Sequence, residues 1–308
     1  KIKMDESWDR RATSVLYRPF DTRFIYYVPW MVDWPRTSLM SHMLSGRNIA
    51  LVTSRMTKGE SFGHVQITRG IAEAICMSPK TSNNAFYFPL FSKDNENELI
   101  QSGTGWRSNI SHQFINDIEN CIDLKFATEK ITDHELQFDS LAILGFIYAI
   151  LHSNGYRKRY EAALGLDYPR IPAPSSKLLF VALMSLGQRL IDLQLLEFDD
   201  SASNCCEFIG DSRVISGVWW TKENGGTVWI NGRNNKEKNM SGASGFFGVS
   251  REIWDFYVGG YRVCEKWLKS RMQKKGEESR ALTEYDITHF RKIIPDTALV
   301  GRSVNHGN

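Results

Sequence analysis

The chain has 308 residues, 42% of them apolar, with 24% charged residues and a net charge of +3, enough to bury a large core as one large domain or two modest ones. Its longest apolar run, residues 141–151, falls short of the roughly 20 residues that cross a bilayer, and the charged start Lys1-Ile-Lys-Met-Asp-Glu6 has no apolar stretch behind it, so no membrane span or secretory signal is expected. Five cysteines (Cys76, Cys121, Cys205, Cys206, Cys264) lack CxxC spacing, which argues against a zinc knuckle or a disulfide framework and fits a reducing cytoplasm.

Residues 24–28, 49–53, 64–68 and 85–90 are short β-branched and aromatic runs punctuated by Gly, Pro, Asn and Ser, so the first part of the chain is predicted to be mostly sheet. From residue 132 the period changes. Residues 139–152 and 178–196 are long apolar segments, the second carrying Leu179, Leu183, Leu186, Leu190 and Leu193 on one predicted helical face. Pro169-Arg-Ile-Pro172-Ala-Pro174 lies between them and cannot continue a helix, which predicts two helices joined by a stiff extended link. Farther on, residues 214–220 and 227–230 flank Glu223-Asn-Gly-Gly226, a hairpin signal because Asn-Gly takes positive φ readily. Residues 231–248 read as a mobile loop. Two more helices are predicted, over 261–274 and from Thr283, where Thr283 and Asp286 have capping-box spacing. The expected fold class is α+β: a β-rich part over residues 1–135, then a mainly helical part with a hairpin near 214–230 over 136–308, with one continuous domain as the alternative.

Charge is segregated along the chain. Between residues 36 and 80, six basic residues (Arg36, Arg47, Arg55, Lys58, Arg69, Lys80) face two acidic ones (Glu60, Glu73), whereas residues 81–140 hold ten acidic and four basic. Such a chain could turn one positive face toward phosphate; chance clustering on solvated surfaces is the competing explanation.

Catalytic motifs are missing. Gly103-Thr-Gly105 is a lone GxG in a polar stretch, and no adjacent prolines supply the Asn/Asp-Pro-Pro-aromatic loop with which an adenine methyltransferase grips a flipped base. Asp123-Leu-Lys125 with Glu119 reads as an exposed helical charge pair rather than a nuclease centre. The seven histidines show no HExxH spacing, and neither a Gly-x-Ser-x-Gly elbow nor a Walker loop is present. His152 is expected to pack at a helix end. Phe138, Phe146, Tyr148, Phe180, Trp219 and Trp229 occupy periodic or alternating positions and are expected in the core.

One ordered set of motifs remains: Tyr17-Arg-Pro-Phe-Asp-Thr-Arg-Phe-Ile-Tyr-Tyr27, Trp34-Pro-Arg36, His42-Met-Leu-Ser-Gly46 with Asn48, Phe88-Pro-Leu90, Leu151-His-Ser153, Tyr156-Arg-Lys-Arg-Tyr160, Asp167-Tyr-Pro-Arg-Ile-Pro172, Gly259-Gly-Tyr261 and Lys266-Trp-Leu-Lys269. Together they resemble the C-terminal specificity region of type ISP restriction-modification enzymes, single polypeptides with nuclease, helicase, adenine-N6 methyltransferase and target recognition parts. The 231–248 stretch departs from that pattern, being longer and more polar. Because the first residue is not Met, the chain is expected to be a fragment or a trimmed form.

The resemblance implies a target recognition domain in phage defence, cytoplasmic, with no catalytic residue or metal of its own. It would bind double-stranded DNA and present an adenine to the methyltransferase; S-adenosylmethionine, ATP and Mg2+ would be held elsewhere in the enzyme, and the methyltransferase and helicase parts would be its protein partners. Residue chemistry then selects Arg36, Arg47, Arg55, Lys58 and Arg69 for phosphate, and Arg55, Lys58, His64, Ser82, Asn83 and Asn84 for base edges. Arg157, Lys158 and Arg159 are further candidates for the DNA backbone. Tyr17, Arg18, Asp21 and Arg23 are expected at the methyltransferase junction, or else Arg18 and Arg23 touch DNA with Asp21 holding one of them. A coupling module between helicase and methyltransferase, and a catalytic domain of unrecognised type, are the alternatives.

Overall fold

The computed structural model describes residues 6, 8–93, 105–131, 136–197, 206–231, 243–272 and 280–305, with side chains as far as Ile294. A short helix, α1 (Trp8–Arg11), runs into an antiparallel hairpin of β1 (Ala12–Arg18) and β2 (Asp21–Tyr26). After α2 (Thr37–Met40) come β3 (Ala50–Ser54), β4 (Val65–Thr68), β5 (Ile71–Ala72) and β6 (Ala85–Pro89). β5 joins β1 in parallel, whereas β3 is the centre of an antiparallel sheet ordered β4-β3-β6. All four residues of β4 are buried, as expected of a strand covered on both faces. β6 alternates instead: Tyr87 and Pro89 turn inward while Phe86 and Phe88 turn out.

β7 (Phe91–Lys93) pairs with β8 (Trp106–Ser108), α3 (His112–Ile122) follows, and β9 (Lys125–Phe126) pairs in parallel with β10 (Gln137–Phe138). α3 buries Ile115, Ile118 and Ile122 at helical spacing and stops at Asp123, whose φ of 53° ends the helical path. Next are α4 (Ser140–His152), α5 (Asn154–Arg159), α6 (Glu161–Leu164) and α7 (Lys177–Gln194). The caps explain where the long ones begin: the Asp139 carboxylate accepts the Ala142 amide and the Ser176 hydroxyl accepts that of Leu179. The extended Pro169–Pro174 link is present, but two short helices precede it that the apolar pattern does not reveal.

α7 buries only part of its expected leucine face. Leu190 and Leu193, toward its C-terminal end, are buried with Phe180, Met184, Gly187 and Ile191, and Leu183 is half-buried, while Leu179 and Leu186 are exposed. The reason is backbone proximity. A Cβ on Gly187 would lie 1.8 Å from the Gly145 carbonyl oxygen of α4, so the two helices cross at a pair of glycines and α7 must turn that side toward α4. Phe138, Phe146 and Phe180 fill the space around this crossing, with ring centroids 5.3 and 5.6 Å apart.

These elements form one compact unit, Lys1–Leu195; Leu196–Asn308 forms a second. The division lies well after the change of period near residue 136, because the helices beyond that point pack with the preceding strands. In the second unit β11 (Glu207–Ile209), β12 (Trp219–Thr221), β13 (Thr227–Trp229) and β14 (Gly245–Phe247) make an antiparallel sheet ordered β11-β14-β13-β12. The predicted hairpin is its β12–β13 pair, turned by Asn224, Gly225 and Gly226 at φ of 52°, 77° and 118°. β14 occupies the end of the stretch expected to be loop; residues 232–242 of that stretch lie outside the described residues.

α8 (Arg251–Trp254), the β15 (Tyr257–Val258) and β16 (Tyr261–Arg262) pair, α9 (Val263–Lys269) and α10 (Glu284–Asn305) complete the unit. α9 is shorter than predicted because Tyr261 and Arg262 pair with β15. At α10 the capping box forms as expected: the Asp286 amide donates to the Thr283 hydroxyl at 3.1 Å and the Thr283 amide donates to the Asp286 carboxylate at 3.0 Å. The chain is α+β, with strands prominent early and helices more so later. Of the six aromatic residues expected in the core, all but the half-buried Trp219 are buried.

Candidate nucleic-acid interface

The register of the β4-β3-β6 sheet separates the candidate phosphate residues. Arg55 follows Ser54, which pairs with Ala85, so Arg55, Lys58 and the 78–84 loop share one end of the sheet. Arg69 follows Thr68, which pairs with Ala50, so Arg69 and Arg47 belong to the other end. At about 3.3 Å per residue, a five-residue strand keeps the ends about 17 Å apart. Arg36 sits elsewhere, before α2, with φ of 49° and its guanidinium 6.0 Å from the Trp34 ring. All five are exposed.

At the Arg55 end, two loops meet on one carboxylate. Glu60 Oε2 accepts from Ser78 Oγ at 2.8 Å, Asn83 Nδ2 at 2.7 Å and His64 Nε2 at 3.0 Å. Burial raises the Glu60 pKa, but these hydrogen bonds outweigh it and hold the carboxyl below its ordinary value. Lys80 reaches back over the cluster, its Nζ donating to the carbonyls of Gly59 at 3.0 Å and Lys58 at 3.3 Å. Ser54 Oγ donates to the Asn83 carbonyl at 3.0 Å, tying the second loop to β3.

This network corrects two base-reading assignments. His64 and Asn83 are both fully buried and spend their donors on Glu60, so neither side chain meets solvent. Ser82 and Asn84, on either side of Asn83, are exposed, as are Arg55 and Lys58.

The rim beside these loops is aromatic. Tyr168 packs edge-on against Phe86 at 5.2 Å and Phe88 at 5.9 Å, and Arg55 lies 5.8 Å over the Tyr168 ring while pairing with Asp167 at 3.0 Å. Arg157 turns inward: its Nε donates to the Leu151 carbonyl at 2.7 Å, and burial pushes its pKa down to about 10. It belongs to the scaffold, whereas Lys158 and Arg159 are exposed.

Around Tyr17 the hairpin changes register, and the Tyr17 ring lies between Arg18 at 4.0 Å and Arg23 at 3.9 Å. Glu73 pairs with Arg18 at 2.5 Å and Asp21 with Arg23 at 2.8 Å. Arg18 and Asp21 are buried. Asp21 braces the hairpin through Arg23, and Arg18 ties it to Glu73 just beyond β5; the surface nearby belongs to Phe24, Trp30, Met31 and Trp34, all exposed.

Comparison with protein families matches residues 1–299 to the type ISP C-terminal specificity domain. The chain belongs to that family. Three solved structures share its fold: the ATP-dependent type ISP restriction-modification enzyme LlaBIII bound to DNA (TM-score 0.69, 16% identity), a nuclease-deletion mutant of the type ISP enzyme LlaGI with a DNA substrate mimic (0.67, 15%), and a DrdV–DNA complex (0.69, 16%). They cover 96%, 97% and 96% of this specificity domain, which in turn spans only 18%, 25% and 28% of their chains. Comparison with curated proteins gives no match.

Among the described residues of the specificity domain, no group of three or more His, Cys, Asp or Glu is placed to hold a metal ion. No helix there is long and apolar enough to cross a membrane. Four participants in the loop cluster are not singled out by sequence: Ser54 and Ser78, which carry no motif, Lys80, which counts only toward the basic excess, and Glu60, whose i,i+4 spacing to His64 is the available signal.

Proposed function

We propose that this specificity domain reads a short asymmetric site in duplex DNA and presents its adenine to an adenine-N6 methyltransferase part of the same polypeptide. The observation that carries the reading is the pair of loops at one end of the β4-β3-β6 sheet, joined through Glu60, one exposing Arg55 and Lys58 and the other Ser82 and Asn84. Family membership and the DNA-bound state of the three similar enzymes support it. Arginine, lysine and asparagine offer the donors and acceptors that base edges require, and phosphate contacts fix register without carrying sequence information. Arg47 and Arg69, at the far end of the sheet, suit phosphate. The exposed Phe24, Trp30, Met31 and Trp34 suit packing against the methyltransferase part. S-adenosylmethionine, ATP and Mg2+ belong, in this reading, to the remainder of the enzyme.

Titrating duplex binding against salt tests the assignment. Arg55→Ala with Lys58→Ala should lower the slope of log affinity on log salt by about 0.9 for each phosphate that the variant no longer neutralises. The fold should persist, because the Arg55–Asp167 pair is exposed and such pairs stabilise little. An unchanged slope in a folded double variant would remove this end of the sheet from the interface, and a protein with no salt-dependent affinity at all would be a coupling module.

A further inference from the structure

We propose that Glu60 is a positioning residue for site reading, joining the 55–64 and 78–84 loops into one element so that base preference depends on a side chain that does not itself meet the bases. The inference rests on the DNA-reading function proposed above and assigns its control to an interior group. Glu60 is mostly enclosed, its side chain 15% exposed. Its Oε2 accepts donors from both loops: His64 from its own, Ser78 and Asn83 from the other. Three donors on one ionised oxygen form charge-assisted bonds, stronger than neutral ones. Lys80 adds a second tie, its Nζ lying 3.9 Å from Glu60 Oε1 while it donates to the backbone of Lys58 and Gly59.

The consequence is geometric. Lys58 is one residue from Gly59, and Ser82 and Asn84 flank Asn83, so every exposed candidate reader on these loops except Arg55 is within two residues of a group bonded to Glu60 or Lys80. Base readout demands side chains held within about 0.5 Å of their productive place. Loops held apart from one another would have to be ordered at the moment of binding, at an entropic cost that weakens the specific complex. Non-specific attraction to phosphate makes no such demand, because it depends on charge rather than on angle. Loss of the Glu60 carboxylate therefore separates the two kinds of binding.

The experiment compares the intact protein with its Glu60→Gln, Asn83→Ala and doubly substituted forms on two duplexes, the site enriched from a randomised library and a scrambled control. Gln keeps the shape of Glu60 and one acceptor oxygen but removes the charge that strengthens all three bonds, and sets an amide donor beside the Lys80 ammonium. Glu60→Gln should reduce the ratio of specific to scrambled affinity at least about tenfold, the scale of discrimination by a single bidentate base pairing, and leave scrambled affinity within about twofold. The double substitution should cost less preference than the sum of the two singles, since both act on the same tie. Should Glu60→Gln fail to fold, Ser78→Ala removes one donor and is expected to shift the ratio in the same direction. A preserved ratio, or equal losses on both duplexes, overturns the role of Glu60. Absence of preference in the unsubstituted protein overturns the DNA-reading function instead.

Discussion

His152 ends α4 with its ring 4.2 Å from that of Tyr148 and its Nδ1 donating to the Tyr148 carbonyl at 2.9 Å. Burial, and secondarily the neighbouring Arg157 guanidinium, presses its pKa from 6.5 to about 3. The unfolded chain then takes up this proton well before the folded one, so stability falls as pH drops from about 6.5 toward 3, by up to about 1.4 kcal/mol per pH unit for one such group. His64, also lowered mainly by burial, adds to the same decline. The depressed Glu60 carboxyl acts lower, its contribution being lost only as pH falls below 4.5. Denaturant unfolding between pH 7.5 and 5 should therefore show stability decreasing toward acid, and His152→Gln should flatten that decrease; parallel curves would contradict a neutral, enclosed imidazole. At this scale residue type was a fair guide to chemistry but not to location. His64, Asn83 and Arg18 have the right groups for DNA, yet the mostly enclosed Glu60 takes His64 and Asn83 and Glu73 takes Arg18; Asn83 is 23 residues from Glu60 and Arg18 is 55 from Glu73, separations that local pattern does not bridge.

The α4–α7 crossing is the element on which the first unit most visibly depends. Gly187→Ala would gain up to about 1 kcal/mol in helix propensity, but its Cβ would overlap the Gly145 carbonyl at 1.8 Å. Overpacking of this kind costs about 1–3 kcal/mol or more and should prevail. Gly165→Ala, whose nearest neighbour would be at an ordinary 3.5 Å, is the control and should remain within about 1 kcal/mol of the parent. Equal stabilities of the two variants by urea denaturation would contradict the close crossing. The start of α10 was legible because its capping box is local, and the apolar segments came within a residue or two of the caps Asp139 and Ser176 that begin α4 and α7. The buried face of α7 was legible only toward its C-terminal end, at Leu190 and Leu193, since Leu, Phe and Met surround the helix on several sides and two glycines decide which side approaches α4. α5 is short and polar and α6 is only four residues long, so no apolar period announces them.

Across the molecule, the α+β class and family membership could be read from strand-like runs, long helices and an ordered motif set, because these depend on local pattern. The division at Leu195 and the four-stranded sheet of the second unit depend on pairings between distant segments, which local pattern does not specify. The same holds for the separation of Arg55 and Lys58 from Arg47 and Arg69, a result of antiparallel register. The most direct test of the whole account is selection of the intact protein on a randomised duplex library followed by sequencing. Enrichment of one short asymmetric sequence, bound at least about a thousandfold more tightly than scrambled duplex at the same salt, is the predicted result; a library recovered without enrichment would contradict it.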